Sequence, residues 1–435
     1  MKTHYKIYFI ERLLIFLFLF SFSMPYVRVG FEGLVWPKEY LRNPTHLPTI
    51  VEISLIFYFF IILMYKRITL NKLIRALRED EVFRLISILF FYVCIFYPLI
   101  KKIIYPISED VILGMIRLVI VLPLIAYFVG YNINIDKKNI LLIFSVIILV
   151  GTLQAIAMLK PEWFPVFMLN WTVGIPRPSG FWNLSTQAAT FLSIVFCCQL
   201  AVLLYIKTIS VRIITLFLIF INLFAINRSL QRIQTVAITF LIIFSVFGIY
   251  KIPKGHFKKY LRLMMIMLAF FIIIVFVLYI SPQIGISIFG SYRYTIIWPS
   301  YFNYIFSEPL VLFFGAGLDT PFPDKYWTGV IKKGHAHNQF LGFVKGMGLF
   351  MSIILFYLMF KTYIHAKICI SSKFLVYYEK MIAFFCIAML VVIMIISIAE
   401  VPLFQGPISI FTFFILGMVN SLYKTNMIKG DEFEK

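Results

Sequence analysis

Residues 139–159 read NILLIFSVIILVGTLQAIAML, without one charged side chain. An α-helix rises about 1.5 Å per residue, so roughly 20 such residues cross the ~30 Å hydrocarbon core of a bilayer. The run is apolar throughout and lacks the two-residue alternation of outer-membrane strands, which selects a helix over a barrel strand. Working outward from it, similar runs lie near 7–24, 48–65, 85–100 and 111–130 on one side. On the other side they lie near 183–206, 209–226, 233–250, 263–280, 339–360, 381–398 and 408–422. The 435-residue chain is 62% hydrophobic and 14% charged, more apolar than a soluble fold can hide, since even a large core leaves about half the residues wet. The expectation is an all-α polytopic integral membrane protein of about 12 transmembrane helices. It forms a single membrane domain over 1–435, with no soluble domain, fixed-period repeat or low-complexity tract. Its longest non-spanning stretch, 281–338, is a large outward loop, and long loops are often functional.

Lys and Arg in the short loops set the orientation. With the N-terminus inside, the inner loops are 66–84 (Lys66, Arg67, Lys72, Arg75, Arg78, Arg84), 251–262 (Lys251, Lys254, Lys258, Lys259, Arg262) and 361–380 (Lys361, Lys367, Lys373, Lys380). Both termini are then cytoplasmic. The net charge of +21 sits in inner loops facing anionic lipid. No basic stripe with interleaved aromatics forms a reading surface, so no nucleic-acid partner is expected. The first apolar run is too long, and too poor in small residues at its end, for a cleaved signal peptide. Cys94, Cys197, Cys198 and Cys386 fall in spans and Cys369 on an inner loop, which implies neither a disulfide framework nor a metal cluster.

This topology gathers several unusual side chains on the outward face. Arg177 lies in Ile175-Pro176-Arg177-Pro178-Ser179-Gly180-Phe181. Arg228 and Arg232 lie in the turn Asn227-Arg228-Ser229-Leu230-Gln231-Arg232, and share one helix face if the eighth span starts early. Arg293 lies in Gly290-Ser291-Tyr292-Arg293-Tyr294, and the long loop closes on Gly334-His335-Ala336-His337-Asn338. A single outward Arg can simply snorkel to the headgroups, and a lone outward His is usually a solvated loop residue. Their convergence favours chemistry, because planar guanidinium groups hold phosphate oxygens bidentately. Imidazole is the side chain best suited to take a proton at neutral pH. His335 and His337 lack a nearby Cys or paired carboxylate to complete a metal site, so no metal is expected.

Within the long loop, 287–306 has the composition of an interfacial helix, and Gly315-Ala316-Gly317-Leu318 reads as a flexible turn. Glu52 and Arg117 both fall in the outer half of the membrane, where they either pair structurally or touch substrate. Glu400, in Ala399-Glu400-Val401-Pro402, reads as a solvated loop acid, or as a group that orients a His or binds sugar hydroxyls.

These residues resemble the O-antigen polymerase/ligase family of bacterial inner-membrane glycosyltransferases. Arg177-Pro178-Ser179-Gly180-Phe181 with Ala188-Ala189 resembles the family's Arg-x-x-Gly element leading into a span. Asn227-Arg228-Ser229 looks like its short Arg-bearing turn, and Arg293 with Trp298 and Gly315-Ala316-Gly317 is similar to the start of its large periplasmic loop. His337-Asn338-Gln339-Phe340-Leu341, followed by Gly346-Met347-Gly348-Leu349, resembles its His-Asn segment and glycine turn. The resemblance covers roughly 170–365, and His-Asn with its glycines is the most specific part. Two features depart from it: Asn183-Leu184-Ser185 stands where a Pro-Asn pair is frequent, and Met351 where a second glycine is common.

The resemblance implies transfer of a glycan from an undecaprenyl diphosphate carrier to an acceptor sugar hydroxyl, with no metal, cofactor or nucleotide sugar. It assigns Arg228 and Arg293 to the leaving diphosphate, with Arg177 a third candidate, and His337 to the acceptor as general base. Arg232, His335, Asn338 and Glu400 are further substrate-binding candidates. The expected partners are the lipid-linked donor, a lipid-linked or lipid A-core acceptor, a chain-length regulator and membrane lipid. Polymerisation of repeat units is the leading activity and ligation to lipid A-core the alternative. The rival of another class is a glycan transporter or flippase. Against it, the halves show no similarity and the unusual residues gather at one face, away from the midplane.

Overall fold

The computed structural model describes residues 2–25, 28–30, 33–35, 48–66, 81–92, 121–163, 168–169, 177–182, 184–248, 296–316, 323, 326 and 337–433. Its helices begin with α1 (Lys2–Phe20), α2 (Ile50–Lys66), α3 (Glu81–Phe91), α4 (Leu122–Asn132) and α5 (Lys137–Leu159). They continue with α6 (Ser185–Tyr205), α7 (Ile209–Arg228), α8 (Arg232–Gly248), α9 (Trp298–Ser307) and α10 (Pro309–Phe314). The last three are α11 (Gln339–Ser371), α12 (Tyr377–Ile396) and α13 (Gly406–Phe433). The strands among the described residues are two small antiparallel ladders, β1 (Arg28–Gly30) with β2 (Gly33–Val35) and β3 (Met168–Leu169) with β4 (Arg177–Pro178).

Among the described residues six helices are long and apolar enough to cross a membrane: α5, α6, α7, α11, α12 and the Gly406–Ile428 part of α13. The chain is thus an α-helical, membrane-embedded bundle. α2 and α8 contribute shorter apolar segments, Ile50–Tyr65 and Arg232–Ile243, and α1 carries Glu11 and Arg12 mid-length. The runs expected at 85–100 and 111–130 are described only in part, by α3 and α4, and 263–280 lies outside the described residues, as do Arg117, Arg293 and His335.

Side-chain contacts fix which helix ends lie together. Arg228, at the end of α7, donates to the Leu159 carbonyl at the end of α5. Gln231 donates to Ser185 Oγ at the start of α6 over 3.3 Å. At the opposite end Lys137 lies 4.9 Å from the ring of Tyr378, and Lys207 lies 4.7 Å from that of Tyr377, so α5 and α12 begin where α6 ends. α1 is tied to that end by Arg12, which donates to Asn139 Oδ1 at 3.2 Å, and by Glu11, which accepts from Asn134 Nδ2 at 2.7 Å.

α6 occupies the middle of the bundle and is buried almost throughout, whereas α7 turns Ile213, Ile214, Phe217 and Phe224 outward. That difference separates a helix packed on all sides from one that faces lipid. Aromatic side chains fill the space near the α6 N-terminus: Trp182 stacks on Phe191 at 4.8 Å, and Phe22 meets Phe411 edge-on at 5.5 Å. Elsewhere backbones touch. A Cβ on Gly130 of α4 would collide with the Phe414 carbonyl of α13, and one on Gly417 of α13 with the Tyr127 carbonyl of α4. Such close approach is how helices associate in lipid, where burial of apolar surface gives no net drive.

The structure corrects three readings of the sequence. Arg228 and Arg232 do not share a helix face, because α7 ends at the first and α8 starts at the second, with Leu230 at φ 58° turning the chain between them. Cys369 is a buried residue of α11, not of a loop. Gly315 and Ala316 are buried rather than part of a flexible turn. Glu52 forms a capping box with Thr49: the Thr49 N–H donates to Glu52 Oε2 at 2.8 Å and the Glu52 N–H to Thr49 Oγ1 at 3.2 Å. Its placement in the first turn of α2 follows from that cap.

Candidate functional site

His337 precedes α11 in the left-handed region, at φ 49°. A non-glycine residue held there costs about 1–3 kcal/mol and persists only where its surroundings impose it. Here they do. Asn338 caps α11, its Oδ1 accepting the Leu341 N–H at 3.0 Å, while its Nδ2 donates to the Ile398 carbonyl at 3.0 Å. The Gln339 N–H donates to the Ser397 carbonyl at 2.8 Å. Gln339 is fully buried, and its Oε1 accepts the Leu403 N–H at 2.8 Å.

Three hydrogen bonds therefore stitch the start of α11 to the connection between α12 and α13. That connection carries Glu400. Its carboxylate Oε2 lies 3.6 Å from His337 Nδ1, an ion-pair distance though too long for a hydrogen bond. Glu400 is only 5% exposed, so the solvated-acid reading is overturned. A buried carboxylate beside an imidazole orients the ring and stabilises it once it has taken a proton.

Below the motif α11 breaks. Gly348 takes φ 79° and ψ 168° inside the helix, a conformation essentially reserved for glycine. The end of α10 enters the gap: Gly315 also has φ 79°, and a Cβ there would lie 2.5 Å from the Gly346 carbonyl oxygen. The Ala316 N–H donates to the Lys345 carbonyl at 2.7 Å. Tyr92 Oη reaches the Phe314 carbonyl at the end of α10, at 2.8 Å, and the Met347 carbonyl beside the break, at 3.3 Å. Irregular backbone at membrane depth is tolerated where protein satisfies its polar groups in this way. Lys345, one turn before the break, is 3% exposed.

No protein-family model matches the chain, and neither does any curated protein sequence. What it can do is therefore read from its own residues. The turn bearing Arg228 and Arg232 lies by the end of α5 and the start of α6. Because α12 begins beside Lys137 of α5, its far end, with the His337–Glu400 pair, lies at the same end of the bundle. The Arg228 guanidinium is exposed and spends one donor on Leu159, which steadies it and leaves the rest of its five donors to other acceptors. The β4 strand brings the Arg177 backbone to Leu169. The loop after it is braced by Gln154, whose Nε2 donates to the Ser179 carbonyl at 2.8 Å and whose Oε1 accepts the Phe181 N–H at 2.9 Å. Gly180, at φ 57°, leaves room for that amide.

Sequence reasoning missed three residues of this region. Lys345 was visible as a charge inside an apolar run, a signal that by default marks a functional or paired role. Gln339 and Tyr92 gave no comparable sign, because their importance lies in contacts made across the fold.

Proposed function

We propose that the protein is an inverting glycosyltransferase that joins undecaprenyl-diphosphate-linked oligosaccharide units into O-antigen or capsule-like polysaccharide. In this reading about 12 helices cross the bacterial inner membrane, both termini are cytoplasmic, and 281–338 is a periplasmic loop. The observation that carries it is the His337–Glu400 pair at 3.6 Å, with an exposed Arg-bearing turn at the same end of an apolar bundle. A glycosyl diphosphate is already activated, so an enzyme has to hold the leaving diphosphate and deprotonate the acceptor.

The acceptor hydroxyl gives its proton to His337 as its oxygen bonds to the anomeric carbon. The bond from that carbon to the diphosphate oxygen breaks, and the lipid diphosphate leaves with the electron pair. Attack opposite an α-linked leaving group inverts the centre. Glu400 stabilises the imidazolium, and base catalysis of this kind contributes typically about 10²–10⁴-fold. Arg228 and Arg293, with Arg177 and Arg232 at hand, neutralise charge on the diphosphate.

The test is the surface-glycan ladder of a deletion strain complemented with wild type or with His337→Ala. The expected result is a ladder with wild type and a single repeat unit on lipid A-core with the variant. Bare core with polymer retained on the undecaprenyl carrier would make the protein a ligase instead. A full ladder from the deletion strain would refute both activities and favour transport.

A further inference from the structure

The far end of the bundle, where α5 and α12 begin, holds a second polar site that the proposed transfer reaction does not use. From Gln339, about 20 helical residues cross the hydrocarbon, which brings Lys361 and Thr362 to the far rim and His365 just past it. Against α3 and α13 these residues line an open cleft of about 280 Å³, with Glu81, Lys361, His365, Asn420, Tyr423 and Lys424 around it.

The floor of the cleft is a ladder of buried polar groups. Thr362 Oγ1 donates to the Leu358 carbonyl at 3.0 Å, and Asn420 Nδ2 donates to Thr362 Oγ1 and to the Leu416 carbonyl, each at 3.0 Å. A carbonyl only accepts, so the amide nitrogen of Asn420 faces Leu416 and its Oδ1 faces His365, 2.6 Å from Nδ1. His365 Nδ1 therefore carries the proton. The imidazole lies flat on Tyr423, with ring centroids 3.8 Å apart and planes within 2°. A tautomer fixed at one nitrogen and a ring packed on its face make a built surface, unlike the free ends of solvated side chains.

The rim is charged. Lys361 Nζ lies 2.6 Å from Glu81 Oε2, and the Tyr357 hydroxyl donates to Glu81 Oε1 at 3.1 Å. Hydrogen bonds from Lys361 first, and then from Tyr357, hold the exposed Glu81 carboxyl below the usual carboxylate range. Lys361 and Glu81 together are close to neutral, which leaves Lys424 as the net charge of the rim among the described residues.

We infer that this cleft binds the phosphodiester of an anionic phospholipid headgroup, with Lys424 and Lys361 as its charge partners and the His365–Asn420 ladder as its floor. One net positive charge matches a phosphodiester monoanion, whereas free phosphate near neutral pH carries more charge than the rim offsets. A choline ammonium would meet lysines. The depth of the cleft is that of the headgroups. In the sequence Lys72, Arg75 and Arg78 precede α3, and basic clusters next to a membrane span draw anionic lipid.

The test is native mass spectrometry of the purified full-length chain, offered phosphatidylglycerol, phosphatidylcholine or inorganic phosphate. Phosphatidylglycerol is expected to be retained in preference to both others. Lys424→Gln should weaken that retention about fivefold, the effect of one near-surface Lys, and Glu81→Gln, which strips Lys361 of its counter-charge, should strengthen it. Both positions are exposed, and if Glu81→Gln fails to fold, Lys424→Gln decides alone. Equal retention of the two lipids, or wild-type retention by Lys424→Gln, would overturn the inference. So would inorganic phosphate holding as firmly as lipid, since the site would then serve a soluble anion.

Discussion

Replacing Gly348 by Ala attacks the break in α11 directly. The native φ of 79° and ψ of 168° place an alanine in a glycine-only region, at about 1–3 kcal/mol. The added methyl would also sit closer than 3 Å to the backbone of Phe313 and Phe314, so the end of α10 has to retreat. Retreat puts at risk the Ala316–Lys345 and Tyr92–Phe314 hydrogen bonds, each worth about 1 kcal/mol. The sum is about 3–5 kcal/mol, a large part of the stability of an ordinary domain. Heating the detergent-solubilised protein before size-exclusion chromatography would read this as a midpoint lower by about 5 °C or more. Gly315→Ala removes the same close approach from the other side, so the double variant should cost less than the two single changes added, by about 1 kcal/mol or more. A Gly348→Ala protein that is monodisperse and melts with wild type would refute the broken-helix geometry.

His337→Gly separates strain from chemistry: removing the left-handed imidazole should leave the melting midpoint equal or higher, by up to about 1 kcal/mol, while glycan elongation is lost. Gln339→Leu strands the Leu403 N–H at a cost of about 1–3 kcal/mol, and elongation should fall although His337 and Glu400 are both present; unchanged elongation would show that the stitch does not set their geometry. Arg228→Lys keeps the charge but loses the planar fork, so elongation in complemented cells should drop at least about tenfold, equivalent to about 1.4 kcal/mol. Near-normal product would confine Arg228 to capping α5.

The six spanning helices among the described residues were legible because lipid imposes a simple rule. A continuous apolar run has to satisfy its backbone internally, so 139–159 and 209–226 became α5 and α7 nearly to the residue. The Asn338 cap was equally local, since side chain and partner lie three residues apart. The approach of Glu400 to His337 was not local: it depends on Gln339 and Asn338 reaching the connection between α12 and α13. The resemblance implied a glycine turn at Gly346-Met347-Gly348, where α11 does break, but the contact that opens it was hidden for a similar reason. A glycine pair in an apolar run looks the same whether it stays helical or opens, and the choice is made by Gly315 from a distant part of the chain. Arg228 and Arg232 show the reverse error, in which helical spacing suggested a shared face that a residue at φ 58° divides.

The glycine contact between α4 and α13 has a consequence for how the protein is made. α4 is synthesised early, and α13, which packs on Gly130, follows only after α5 to α12 have been translated. The bundle therefore cannot close in the order of its synthesis. A chain that stalls before α13 would leave the α4 side of that glycine seam without its partner helix.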